Sequence, residues 1–278
     1  MKIGLFSPLA ADLASPELAI ETARVAEECG FASLWVPEHA VLFDDYAPTY
    51  PYAEDGRMPG GASGNVLDPF PVLSFYAAHT SRIRIGTGVM ILPQRNPIYA
   101  AKEVASLDVL SGGRLDVGIG LGWLAEEMRA LGTPFERRGA RTRSYVGVMK
   151  ALWCEDPTAY EDEFYTLPPC RFAPKPVQKP HPPLVFGGES GPALRRVAAL
   201  GQGWNAAMQS PEQMARLIGE LDGYLAENGR TRDEIEISVM PGRELTKDDL
   251  VAYREAGVDQ VLPLGAAPSA DTVRSIFE

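Results

Sequence analysis

Three short stretches carry groups that could do chemistry: "LWVPEH", ending in Glu38 and His39; "DVGIGLGWLAEE", from Asp116 to Glu127; and "LVFGGES", ending in Gly187, Gly188, Glu189 and Ser190. Imidazole exchanges its proton near neutral pH, so His39 beside a carboxylate is a candidate acid/base. A glycine pair ahead of a helix-capping residue lets backbone approach a ligand, and the amides of the first helical turn can hold a phosphate. The alternation of Gly118, Gly120 and Gly122 raises a second chemistry, a dinucleotide-binding loop. That loop needs its glycines directly after the first strand, opening a helix. Here the first strand-to-helix turn, "SPLAADLAS", has no glycine, and the glycines close a later strand. The dinucleotide reading fails on context.

Around these stretches, strand and helix signals alternate. Lys2–Ser7 reads as a strand, and Ser15, Pro16 and Gly30 bracket a helix. "SLWVPEH", "RIRIGTGVMIL" and "RLDVGIGLG" read as the second, third and fourth strands, with helices over 70–79, after Asn96-Pro97, and over 141–153. "LVFGG", "GWNAAM", "EIEISVM" and "VDQVLPL" complete eight strands, with helices from Ser190, from Ser210-Pro211 (with Gln213 closing a capping box), over 247–256 and over 269–277. Eight strands each followed by a helix predict a (β/α)₈ barrel, an α/β fold forming a single domain over 1–278. Two segments interrupt the rhythm: 40–68, with Tyr46, Tyr50 and Tyr52, and a Pro-rich connection, 154–183, whose "YTLPPCRFAPKPVQKPHPP" excludes regular structure. In such a barrel the site forms where strands end, which brings together His39, Gly88 and Val89, Leu121 to Trp123, and Gly187 to Ser190.

Composition bounds the partners. The 278 residues hold 26 basic and 37 acidic side chains, a net charge of −11. A balance this acidic argues against nucleic acid and anionic membranes, so an anionic ligand must be held by local donors. Cys29, Cys154 and Cys170 form no disulfide framework or metal motif, and His79 and His181 form no metal set with His39. No metal is expected. Without a signal-peptide pattern or a membrane-length apolar run, a cytoplasmic location is expected.

Taken together, "LWVPEH", "RIRIGTGVMILPQRNPIYAAKEVASLDVLSGGRLDVGIGLGW", "EEMRALGTPFERRGAR", "PKPVQ" and "VFGGESGPALRRVAALGQGW" resemble the luciferase-like monooxygenase superfamily, in particular its coenzyme F420-dependent branch. The resemblance implies a barrel with insertions, a deazaflavin cofactor, and a non-prolyl cis peptide at Gly88–Val89 backing the ring. It implies a border to the ring and phosphate region at Leu121, Gly122 and Trp123, and phosphate contact at Gly187, Gly188, Glu189 and Ser190. His39 becomes the catalytic residue near the reacting ring carbon, with Glu38 grouped among the cofactor-binding residues. The strand-four glycines are then expected to let a flat cofactor lie against the backbone.

One departure bears on the substrate. Sugar-phosphate dehydrogenases of this branch carry a catalytic Glu directly after the strand-four glycine, where this chain has Trp123. Trp123 is either a packing residue or a ring contact to cofactor or substrate. The expected activity is hydride transfer between the deazaflavin and a small organic substrate, by a homodimer, with 40–68 as a lid. Two alternatives remain: an FMN-dependent monooxygenase fed by a partner reductase, and a cofactor-binding relative without turnover.

Overall fold

β-branched runs set between capped helical segments can bury both faces of a parallel sheet by closing it under a ring of helices. The computed structural model, which describes residues 1–10, 13–47, 49–61 and 66–265, has that form. In chain order it runs β1 (Lys2–Ile3), β2 (Leu5–Phe6), α1 (Pro16–Glu28), β3 (Ser33–Val36), α2 (Pro69–His79), β4 (Arg84–Thr87), β5 (Met90–Ile91) and α3 (Pro97–Leu110). Then follow β6 (Leu115–Gly120), α4 (Ala125–Ala130), α5 (Arg138–Cys154), β7 (Thr158–Glu161), β8 (Thr166–Cys170), β9 (Leu184–Gly187) and α6 (Gly191–Leu200). The chain continues through β10 (Gly203–Ala207), α7 (Pro211–Glu227), β11 (Glu236–Met240), α8 (Lys247–Glu255) and β12 (Gln260–Val261). The parallel sheet has the order β1-β12-β11-β10-β9-β6-β4-β3-β2. β1 and β2 are one barrel strand broken at Gly4, whose N–H donates to the Val261 carbonyl at 2.9 Å, so the ladder passes from β12 to β3 through that strand.

The punctuation in the sequence does the work assigned to it. Ser15 accepts from Leu18 N–H, Asn96 from Ile98 and Tyr99 N–H, and Ser210 and Gln213 form the capping box. The expected helix over 269–277 lies outside the described residues. Two expectations need correction. The 154–183 connection is not wholly irregular: β7 and β8 make an antiparallel ribbon there, with Thr166 opposite Glu161 and Leu167 opposite Tyr160. A two-stranded ribbon leaves outer edges unpaired, which lets Pro168 and Pro169 sit in a strand without losing a ladder bond. The third strand is also not continuous. It stops at Thr87 and resumes as β5, which pairs with the end of β6.

That interruption explains the alternating glycines. A Cβ on Gly118 would sit 1.7 Å from the Thr87 carbonyl oxygen, and one on Gly120 2.3 Å from Val89 Cγ2. The room the glycines provide is taken up by the neighbouring strand, not left open to a ligand as the sequence had suggested. Gly118→Ala must therefore force β4 and β6 apart, at an expected cost above about 3 kcal/mol. Gly219→Ala, on the exposed side of α7 with nothing within 4 Å of the new methyl, should instead stabilise by roughly 0.5–1 kcal/mol. Urea unfolding of the two variants checks both signs.

Candidate functional site

At the C-terminal end of the barrel, Pro37 ends β3 and the chain turns outward through Glu38 and His39. The two side chains part there. Glu38 is buried, accepting from Ile91 N–H at 2.6 Å and from Arg95 Nε at 2.7 Å. Burial pushes its carboxyl pKa up, and Arg95 offsets part of that. Arg95 also reaches Asp68, at 2.7 Å, and Glu103, at 3.0 Å, so one guanidinium joins the second strand, the α2 cap and α3. Both Glu38 oxygens are thus committed within the protein.

His39 faces the barrel mouth. Its Nδ1 lies 2.9 Å from Glu127 Oε2, and the indole nitrogen of Trp123 lies 3.4 Å from its Nε2. Glu127 belongs to α4, the short helix after Gly122, and its side chain is 1% exposed. Its other oxygen accepts from Ala40 N–H at 2.6 Å. Above the histidine stand aromatic rings from the 40–68 segment: Tyr46 and Tyr50 each meet Trp123 edge to face, centroids 5.1 Å apart, and Tyr52 meets Tyr50 at 5.6 Å. Ala47 N–H donates to Glu126 at 3.2 Å, fastening the segment to α4. Burial, then the nearby Glu189, pushes the Tyr52 phenol pKa up, which keeps it neutral. Trp123 therefore packs under the mouth segment and touches the histidine.

The Gly88–Val89 peptide is cis. Val89 is seated between glycines: its Cγ1 lies 3.3 Å from where a Cβ on Gly187 would be, facing its Cγ2 contact with Gly120. Gly122 and Gly188 have φ of +74° and +104°, which favour glycine. Gly188 accepts from the Trp204 indole at 2.9 Å, and Glu189, its carboxyl pKa raised by burial, accepts from Ala207 N–H at 2.7 Å. Ser190 is the N-cap of α6, but its side chain makes no cap bond.

Beside this turn lies a feature that the sequence did not reveal. Among described helices of nine residues or more, only α5 and α6 begin without a side-chain cap. Arg138 at the start of α5 donates to the Gly122 carbonyl at 3.1 Å, and Arg196 of α6 comes within 3.2 Å of the Cβ position of Gly139. Burial, then Arg143 and Arg138, pushes the Arg196 pKa down. None of these three arginines has a carboxylate partner among the described residues. At the start of α6 Pro192 has no N–H and Ala193 N–H donates to the Ser190 carbonyl, which leaves the Gly191 N–H. With the uncapped start of α5 and three guanidiniums lacking a carboxylate partner, it forms a donor set suited to an anion such as a cofactor phosphate. Leu121, the first residue of its loop, packs 3.9 Å from the Gly139 Cβ position on the same side.

A family model described as luciferase-like monooxygenase matches residues 1–271. The chain belongs to the luciferase-like monooxygenase family. Within that family, an uncharacterised protein of Mycobacterium tuberculosis is 32% identical over 258 residues, covering 92% of this chain and 90% of the relative. The oxygenase component of a flavin-dependent trigonelline monooxygenase of Acinetobacter baylyi is 30% identical over 167 residues, 59% of this chain and 41% of that protein. The coenzyme F420-dependent tetrahydromethanopterin reductase of Methanopyrus kandleri superposes with a TM-score of 0.78 at 17% identity, covering 100% of this chain and 97% of that one. The last shows a shared fold. Among the described residues no helix is long and apolar enough to cross a membrane, and no group of three or more His, Cys, Asp or Glu could hold a metal ion.

The structure brings His39, Trp123 and Glu127 together, sets Leu121 and Gly122 beside Arg138 and Arg196, and places Gly188 and Ser190 at the turn into α6. Glu127, Arg95 and the arginine cluster were missed. In "WLAEE" nothing distinguishes Glu127 from Glu126 until α4 sets which carboxylate turns inward. The Glu38–Arg95 pair gives a direct check on how the mouth is held. Removing one partner of a buried ion pair leaves an uncompensated charge, so Arg95→Ala should cost about 3–5 kcal/mol by denaturant unfolding. Glu38→Gln in the same background should recover part of that loss.

Proposed function

We propose that this protein is a coenzyme F420-dependent oxidoreductase, exchanging a hydride between the deazaflavin and a small organic substrate, with His39 as its acid/base. The observation that carries the reading is the cluster of Arg138, Arg143 and Arg196 along the first two turns of α5 and α6, two helices without side-chain caps, in a chain of net charge −11. One phosphate dianion does not balance three guanidiniums. A tail with further carboxylates does, and that favours the deazaflavin over FMN.

Arg138, Arg196 and the Gly191 N–H that follows Ser190 would hold the phosphate, with Val89, Gly122 and Trp123 lining the approach to His39. When bound, the cofactor supplies the hydride chemistry. The chain supplies the rest. His39 accepts a proton from a substrate hydroxyl in the oxidising direction, or returns one to a carbonyl in the reducing direction. Tyr46, Tyr50 and Tyr52 close over Trp123 and limit water at the imidazole. With Trp123 in the place where sugar-phosphate dehydrogenases of this branch have a catalytic Glu, an apolar or aromatic alcohol or ketone suits the wall better than a phosphosugar.

The second reading, an FMN-dependent monooxygenase working with a separate reductase, is favoured by the trigonelline enzyme being an oxygenase component. A homodimer belongs to both readings. Phe75, Tyr99 and Leu110, on the packed helices α2 and α3, are 43%, 74% and 73% exposed, and a partner subunit would cover them.

Calorimetric titration with both cofactors tests the choice. Coenzyme F420 is expected to bind at least about tenfold more tightly than FMN, and Arg196→Ala to narrow that gap. Tighter FMN binding with oxygen-dependent turnover would replace this reading by the second; cofactor binding with no turnover on an alcohol and ketone panel would make the protein a carrier. His39→Ala should keep the fold and most of the cofactor affinity while lowering turnover roughly 100-fold or more.

A further inference from the structure

The histidine at the barrel mouth is held from both sides, and the two holds differ in kind. On one side, Glu127 Oε2 lies 2.9 Å from Nδ1. Glu127 cannot easily turn away, because its Oε1 accepts the backbone N–H groups of Ala40 at 2.6 Å and Val41 at 3.4 Å. On the other side, the Trp123 indole N–H points at Nε2 over 3.4 Å. An indole nitrogen only donates and an ionised carboxylate only accepts. The ring therefore carries its proton on Nδ1 and presents a lone pair at Nε2.

We infer that Glu127 is the positioning residue that fixes His39 as the Nδ1–H tautomer, making Nε2 the atom that accepts the substrate's proton. The Trp123 N–H occupies the place from which a substrate hydroxyl would donate. In the transfer, the substrate O–H bond breaks, its proton joins the Nε2 lone pair, and the electron pair stays on the substrate oxygen. The imidazolium so formed keeps its Nδ1–H on Glu127, which faces the new charge from a site almost without solvent. The proton-transfer role rests on the function proposed above; the tautomer does not.

Glu127→Gln separates the two. The Ala40 N–H is fixed in the backbone, so the new amide must turn its carbonyl oxygen toward that N–H and its NH₂ toward His39 Nδ1. That arrangement reverses the tautomer and places the proton on Nε2. The chain has three histidines, so long-range ¹H–¹⁵N correlation of the full protein, without cofactor and at about pH 8.5, resolves each ring. The expected result is Nδ1–H in the wild type, Nε2–H in Glu127→Gln, and Nδ1–H retained in Trp123→Phe. A protonated Nε2 in the wild type, or an unchanged tautomer in Glu127→Gln, would overturn the inference. So would a tautomer that changes in Trp123→Phe, since the indole would then be the residue in control.

Turnover supplies the second arm. Glu127→Gln should lose roughly 100-fold to 10,000-fold in kcat with KM changed less than about threefold, matching His39→Ala. A loss in His39→Ala without one in Glu127→Gln overturns the positioning role. A reversed tautomer with turnover unchanged in both variants upholds control of the tautomer by Glu127 and removes His39 from the chemistry.

Discussion

The end of the third barrel strand can lie where it does only because its neighbours carry no side chains there. The Thr87 carbonyl presses on Gly118, Thr87 Oγ1 donates to the Gly118 carbonyl at 2.7 Å, and Val89 fills the space over Gly120 and Gly187. From this contact the rest of the mouth follows in sequence. The chain re-enters the sheet as β5, which brings Ile91 N–H to Glu38. Glu38 and Arg95 then hold the outgoing end of the second strand, and the next residue is His39. Because β6 runs on past the same contact, its end delivers Gly122 and α4, and α4 delivers Glu127 to the histidine. Backbone packing at one strand end thus sets both members of the His39–Glu127 pair.

Charge is distributed to match. The chain is acidic overall, yet three carboxylates at the strand ends are occupied inside the protein: Glu38 by Arg95, Glu127 by His39 and backbone, Glu189 by Ala207 N–H. Arg138, Arg143 and Arg196 have no carboxylate partner among the described residues, and their mutual repulsion is a standing cost that an anion would relieve. A protein repelling anions at long range can still bind one where donors converge at short range, and the donors here are side chains and helix ends together.

Much of this was legible in the residues, for reasons that differ from element to element. Caps such as Ser210-Pro211-Gln213 and Asn96-Pro97 act within a turn of chain, so the helices they open were read correctly. The strand count followed from apolar runs buried on both faces, and His39, Trp123 and Gly188 from their places at strand ends. Contacts between distant segments left no such trace. The glycine alternation had suggested room for a flat ligand, whereas the neighbour that needs the room is Thr87, 31 residues earlier. The prolines of 154–183 hid a ribbon because they fall on a small sheet with open edges. Arg138 and Arg196 lie on two helices far apart in the chain, and only the folded arrangement brings Arg196 to Gly139, the residue after Arg138.

A crystal structure of the protein with coenzyme F420 tests the central claim most directly. The expected result is phosphate density between the first turns of α5 and α6, within hydrogen-bonding distance of Arg138 or Arg196 and of the Gly191 N–H. Phosphate density elsewhere, for instance in the open cleft at the opposite end of the barrel beside Thr231 and Arg232, would contradict it.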